Sequence, residues 1–238
     1  MELWLDYTIW CSMTKIALYG NLVVDRVIDR STFVESHTLG GIANAWSALK
    51  YFLPDAYVDL VPTSVGEAVI LSDLQNSVRT SKAQMNIRVN DTVPRNEASW
   101  HHIMYLNSIH DLEFLKGITS GNISADITTG PIKNLEYLKY IDYLFVSDED
   151  VSITFNELVK KTKGWVIMHN STGSVCSNGE IMHDLSDVVD YVDGINVLGA
   201  GDIFASAFIT SYDMSVNIKD TVSKAHRNTT KMLIEGEK

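Results

Sequence analysis

The chain has 238 residues, of which 45% are hydrophobic and 21% charged, enough to bury one substantial core and too apolar for a disordered chain. Its formal net charge of −11 argues against broad binding to nucleic acid or to an anionic membrane, because both need clustered cations. Its two cysteines, Cys11 and Cys176, suggest neither a disulfide framework nor a metal-ligand spacing, and they fit a reducing cytoplasm.

Residues 1–12 are apolar but carry Glu2 and Asp6, without a basic leader or a small-residue cleavage pattern. They read as a start-site extension or a mobile arm ahead of a single domain over 13–238, and no apolar run is long enough to span a bilayer. Residues 15–24, rich in branched apolar side chains, predict a buried strand. Apolar spacing through Ala43, Trp46, Ala48, Leu49 and Phe52 predicts a helix over 40–51. The pattern then predicts a strand over 57–62, a helix over 66–79, a strand over 102–106 and a short helix over 111–117. It continues with a strand over 122–127, a helix over 134–140, a strand over 142–146, a helix over 151–163 and a strand over 165–168. Such alternation implies an α/β protein with a largely parallel sheet. Two polar-alternating stretches, 26–38 and 83–100, break the rhythm and predict a small accessory sheet, serving either as a lid or as a surface hairpin. Apolar Phe33, Val34 and Trp100 in these stretches allow a homodimer in which two such sheets hide their edges.

Two glycine-bearing segments carry the chemistry. Asp25 sits where the first strand ends, and Gly40-Gly41-Ile42-Ala43-Asn44 opens the next helix. Glycines there permit close approach of a ligand, and Asp25 and Asn44 offer an acceptor and a donor-plus-acceptor for hydroxyl groups, as a polyol needs. The other reading is ordinary turn formation. Near the C-terminus runs Asn196-Val197-Leu198-Gly199-Ala200-Gly201-Asp202, followed at once by the helix-spaced apolar residues Ile203, Phe204, Ala207 and Phe208. Gly199, Ala200 and Gly201 can expose backbone N–H groups at a helix start, an anion hole with Asp202 at its lip. Asp202 could accept the proton of an attacking hydroxyl while a transferred anionic group rests on the N–H groups. A capped turn is the competing interpretation. His101 and His102 lack a partner at metal-ligand spacing and are assigned no metal.

Taken together, Asp25, the GGIANA element at 40–45, the Val65-Gly66-Glu67 turn and NVLGAGDIF at 196–204 resemble the ribokinase-like, or PfkB, carbohydrate kinase family, from about Lys15 to the C-terminus. The resemblance implies a three-layer α/β/α sandwich with a mainly parallel central sheet and a small β lid. It implies ATP as donor, Mg2+, and transfer of the γ-phosphoryl group to a hydroxymethyl of a sugar, a sugar derivative or a nucleoside. On this resemblance Asp202 is the base, Gly199, Ala200 and Gly201 form the anion hole, and Asp25, Gly40, Gly41 and Asn44 hold the acceptor. Arg95, after an Asp91-x-x-Pro turn, is similar to a lid arginine that would meet a phosphate or carboxylate on the acceptor. The sequence departs from the family at two places. The Asn-x-x-Glu element associated with magnesium becomes Ser147-Asp148-Glu149-Asp150, where Ser147 and Asp150 could serve in shortened form or the acids could mark a solvated helix start. The nucleotide-facing turn becomes His169-Asn170-Ser171-Thr172-Gly173. Asn228 falls on the C-terminal helix that borders adenine in the family. A catalytically silent sugar or nucleotide sensor is the alternative from another class.

Overall fold

The computed structural model describes residues 14–72, 84–127, 133–148, 153–192, 197, 199–212 and 217–236. The chain enters through β1 (Lys15–Asp29), whose residues Ile16 to Asn21 are all buried, whereas from Val23 onward buried and more exposed positions alternate. The first half is thus covered on both faces and the second on one, as expected for a strand that leaves a central sheet and continues into a thinner extension. β2 (Glu35–Gly41) turns back antiparallel on the outer half of β1, pairing Asp25 with Thr38 and Val23 with Gly40. α1 (Ile42–Phe52) follows with no intervening loop. β3 (Tyr57–Ser72) lies parallel to β1 along its whole length, and β4 (Gln84–Val89) closes the far edge antiparallel to β3.

β3 differs from the sequence expectation of a strand over 57–62 and a helix over 66–79. The strand runs on to Ser72, and residues 73–79 lie outside the described residues. Apolar residues at 65 and 68–71 satisfy either period, and tertiary pairing decides. Gly66 lies so close to β4 that an added Cβ would fall 2.0 Å from the Asn86 carbonyl oxygen. The Val65-Gly66-Glu67 segment is therefore inside a strand, not a turn.

Next come β5 (Trp100–Ile103), β6 (Asn122–Ile127), β7 (Tyr143–Ser147), α2 (Phe155–Lys161) and β8 (Trp165–His169). Of the stretch 83–100, only β4 belongs to the extension, because Trp100 opens a strand of the main sheet and is buried. It therefore stacks on Tyr143 in the core, with ring centroids 5.5 Å apart, and offers no outer face for a dimer. The helices expected over 111–117 and 134–140 are tighter 3-10 segments, Glu113–Gly117 and Leu135–Tyr140, in keeping with apolar runs too short to repay a full α-helix. α2 starts later than expected because Thr154 and Glu157 form a reciprocal capping box. A hairpin of β9 (Ser174–Ser177) and β10 (Met182–Leu185) leads to α3 (Ala200–Ser211) and α4 (Ile218–Gly236).

The sheet order is β10-β9-β8-β7-β6-β5-β1-β3-β4, with β2 on β1. From β8 through β3 the neighbours are parallel. α1, α3 and α4 cover one face through Ile42, Leu49, Phe204, Phe208 and Val222, which pack on Leu18, Phe145 and Ile167. On the other face α2 and the 3-10 segments pack Leu158, Phe114 and Leu138 against Tyr19, Leu144 and Val166. This is the three-layer α/β/α sandwich with a mainly parallel sheet. No helix among the described residues is long and apolar enough to cross a membrane.

α3 is apolar nearly all round and buries Phe204, Ala205, Ala207, Phe208 and Ile209, each large side chain contributing about 2 kcal/mol or more. Small residues let it approach α1 closely, so that the Ser206 hydroxyl lies 3.2 Å from the Ala45 carbonyl oxygen. That approach brings the first turns of the two helices together.

Candidate active site

The site is assembled where β2 passes directly into α1. Gly41, the N-cap of α1, has φ 61° and ψ −133°, a conformation essentially reserved for glycine. A Cβ there would also fall 1.9 Å from the Asn21 carbonyl oxygen. At Gly40 an added Cβ would fall 1.8 Å from Asp25 Oδ2. The missing side chain is what leaves room for the buried Asp25 carboxylate over the strand. Gly40, Gly41 and Asp25 therefore form one packed unit, and Asn44 follows in the first turn of α1.

Asn44 Nδ2 donates to Asp202 Oδ2 at 3.1 Å, across 158 residues of sequence. Asp202 lies in the first turn of α3 and is only 4% exposed. The N-cap Gly199 is left-handed, with φ 80°, and a Cβ on it would stand 3.7 Å from Asp202 Oδ2 and 3.9 Å from Asn44 Nδ2. The Ala200 N–H donates to the Val197 carbonyl at 3.0 Å, so Ala200 helps to close the turn. Gly201 and Asp202 carry the next N–H groups at the positive end of the helix, where an anion is favoured. Asn196 and Leu198 lie outside the described residues.

A further partner of the carboxylate went unrecognised in the sequence. The Tyr105 hydroxyl lies 2.9 Å from Asp202 Oδ1 and 2.8 Å from Oδ2. Tyr105 follows β5 in a left-handed conformation, φ 56° and ψ 52°, and its N–H donates to Asp126 Oδ1 at the end of β6. Behind it, His102 Nε2 and Asp126 Oδ2 are 3.7 Å apart, and neither has a hydrogen-bond partner. Asn21, another polar residue buried in β1, accepts from the Ser64 hydroxyl at 2.5 Å and donates to the Ser108 hydroxyl at 3.3 Å. The one sequence signal for Asn21 was an amide inside an apolar strand. For Tyr105 there was none.

The remaining expected residues are placed as follows. His169, at the end of β8, stacks near Phe204 with centroids 4.7 Å apart. Gly201 adjoins it, since an added Cβ there would be 3.9 Å from His169 Cε1. Desolvation holds the His169 imidazole down at about 4, so it is neutral at neutral pH. His226 of α4 packs on the other side of the Phe204 neighbourhood, 4.6 Å away by centroid, and bonds the Ser174 hydroxyl at 2.7 Å. It too is lowered to about 4, by burial and then by His169. Gly173 is needed by the backbone, as a Cβ would lie 1.9 Å from the Leu185 carbonyl oxygen. Asn228 Nδ2 reaches the Ser211 hydroxyl at 3.4 Å and ties α4 to the end of α3. Ser147 ends β7 beside His169, and Asp150 lies outside the described residues.

Arg95 is not brought to this cluster. Its Nε donates to Asp59 Oδ2 at 2.8 Å, and its N–H to the Tyr19 hydroxyl at 2.8 Å. Tyr19 belongs to the core on the opposite side of the sheet from α3. The short chain between Arg95 and β5 holds the guanidinium near that side.

A parallel sheet whose strand ends and helix N-terminus converge on a buried carboxylate has the architecture of α/β proteins that bind ligands outside the carboxyl ends of their strands. More particularly, the chain has the ribokinase fold, the one expected from the resemblance. The ribokinase of Thermotoga maritima superposes with a TM-score of 0.68 at 15% identity, over 92% of this chain and 93% of that one. A pyrophosphate-dependent kinase of the ribokinase family, solved as a sulfate complex, gives 0.64 at 16% identity, over 92% and 95%. The nucleoside kinase of Burkholderia thailandensis in complex with inosine gives 0.61 at 13%, over 92% and 91%. No protein-family sequence model matches the chain, and no curated protein matches it by sequence.

Proposed function

We propose that this protein is a phosphotransferase of the ribokinase family that moves the γ-phosphoryl group of ATP to a hydroxymethyl of a sugar or sugar derivative. The observation that carries the reading is the buried Asp202 carboxylate, fixed by Asn44 at the N-terminus of α3 beside the left-handed Gly199. In this reading Asp25 and Asn44 orient the acceptor, with Gly40 and Gly41 keeping the backbone close beneath it. Asp202 takes the proton as the acceptor oxygen forms its bond to phosphorus and the bond to the leaving ADP oxygen breaks. Carboxylate basicity is adequate because the transition state is loose and the proton leaves late.

The turn fits a phosphate, since Gly199 and Gly201 present backbone where a Cβ would fill the space toward Asp202 and His169. Magnesium fits less as a resident of a protein cage: among the described residues no three histidine, cysteine or carboxylate side chains gather around one point. It is better carried on the donor phosphates, with Ser147 as an oxygen at the strand end and Asp150 assigned by sequence alone. Magnesium-bound ATP supplies the phosphoryl group and neutralises its charge. His169, Gly173 and Asn228 are the residues proposed on the nucleotide side. A nucleoside is the second acceptor class, favoured by the likeness to the inosine-bound kinase. A homodimer formed through the extension remains part of the proposal. Phe33, Val34 and Leu39 stand exposed on its β1–β2 hairpin, where a second copy would cover them.

The test is an acceptor panel of sugars and nucleosides with ATP, products detected by mass. D202N should lower transfer by roughly 100- to 10,000-fold with acceptor binding little changed. Ligands that raise the melting temperature without any phosphorylated product would instead identify a sensor.

A further inference from the structure

We propose that Tyr105 is a cap on Asp202 that an acceptor hydroxyl displaces, so that the base is shielded from water until acceptor arrives. The inference rests on the phosphotransferase reading above and adds a positioning residue to it.

A hydroxyl bridging both oxygens of Asp202, at 2.9 and 2.8 Å, stands where an alcohol must stand to surrender its proton. With Asn44 already on Oδ2, a second alcohol cannot make the same bridged contact while the tyrosine is there. The phenol thus imitates the ground state of the acceptor. It is also suited to leave. Tyr105 is half-buried, and only three residues of tight turn, Leu106–Ser108, follow it.

Its backbone is anchored separately from the ring, which packs at the edge of the core. The N–H is held by Asp126 and the carbonyl accepts from the Ser108 hydroxyl at 2.8 Å. That same hydroxyl accepts from Asn21 on β1, and the Asn21 carbonyl packs under Gly41. Acceptor bound over Asp25, Gly40 and Gly41 therefore presses on a strand linked through Asn21 and Ser108 to the tyrosine it must replace. The bond from the Tyr105 N–H to Asp126 and that from the Ser108 hydroxyl to the Tyr105 carbonyl hold the backbone while the ring swings out.

The chemical consequence is a restrained side reaction. Without a cap, water attacks the γ-phosphorus, its proton passes to Asp202, the bond to ADP oxygen breaks, and ATP and water become ADP and phosphate. Phosphate release from magnesium-ATP without acceptor is therefore measured in the wild type, Y105F, D202N and the double variant. Y105F should raise it on the order of tenfold, the worth of one hydrogen bond to a charged group, and the double variant should lose the gain. With acceptor present, the gain should appear in KM and not in kcat. Y105L, which removes the ring as well, should act in the same direction if Y105F folds poorly.

A readout independent of transfer is the 13Cζ resonance of Tyr105, assigned by its loss in Y105F, which should move in D202N. An unmoved resonance removes the contact and the proposal. Release that D202N abolishes but Y105F leaves equal or lower overturns the cap while sparing the kinase. A resonance that moves with no release or transfer in any variant brings down the phosphotransferase reading and the cap with it. Phosphate found on Tyr105 itself would make the phenol an acceptor and also refute the cap.

Discussion

Acidification should destabilise this protein before its carboxylates begin to protonate, because two imidazoles are buried neutral. His169 and His226 are each lowered to about 4, chiefly by burial, against an ordinary value near 6.5 in the unfolded chain. Between those values the unfolded state binds more protons, so stability is full above about 6.5 and is lost as pH falls toward 4. At pH 5.0 the linkage amounts to about 2 kcal/mol for each histidine relative to pH 7.5. Because His169 keeps some surface access, the pair together should cost about 2–4 kcal/mol. His101, also lowered by burial, acts in the same direction. Asp29, Glu35, Glu113 and Glu157 are lowered by their hydrogen bonds and stay ionised at pH 5.0, which separates their loss from that of the histidines. Urea unfolding at pH 7.5 and 5.0 measures the difference. H226Q retains a partner for Ser174 but cannot titrate, and it should remove roughly half of the pH dependence. A change below about 1 kcal/mol in the wild type, or the same change in H226Q, would refute the burial argument.

Two further substitutions probe the framework of the site. G41A meets both a glycine-only conformation and a carbonyl 1.9 Å from the new Cβ; backbone strain and forced displacement each cost about 1–3 kcal/mol. Calorimetry should show a melting temperature lowered by roughly 4–20 °C, and a change within about 2 °C would mean that the β2–α1 junction relaxes freely. R95A breaks a half-exposed ion pair with Asp59 and should cost only about 0.5–1 kcal/mol in urea unfolding. An acceptor KM raised more than tenfold in R95A would instead return the arginine to the acceptor site.

The alternation of strands and helices was legible because long buried strands and amphipathic helices differ in period, and the paired glycines with Asp25 and Asp202 were legible because glycine-rich helix starts are short-range signals. Tyr105 was not, since its role exists only through the order β6-β5-β1: Asp126 on one neighbour holds its backbone, and α3 above the sheet supplies the carboxylate. Nothing local marks a tyrosine after a four-residue strand as facing an aspartate 97 residues later. β3 failed for the same reason, as its apolar spacing admits either period and only pairing with β1 and β4 selects the strand. Arg95 shows the converse case: a residue with suitable chemistry after a suitable turn forms its ion pair with an aspartate on the other side of the sheet.

These contrasts divide the site into two halves of different construction. On the proposed function, the acceptor half rests on close approaches that admit no side chain, of Gly40 to the Asp25 carboxylate and of Gly41 to the Asn21 carbonyl, and β2 passes into α1 without a loop. On that reading a hydroxylated acceptor meets partners in fixed relative positions, because Asp25 on β1 and Asn44 on α1 are tied together through the paired β2 strand. The donor half of that reading draws on α3, α4 and the end of β8, which meet around Phe204 beside two neutral histidines. Its packing is made of side chains, and its charge comes from a helix terminus that favours any anion of suitable shape. On the proposed function, acceptor choice is therefore the property most tightly tied to the backbone, and donor choice the one more open to change by substitution at His169 or Asn228.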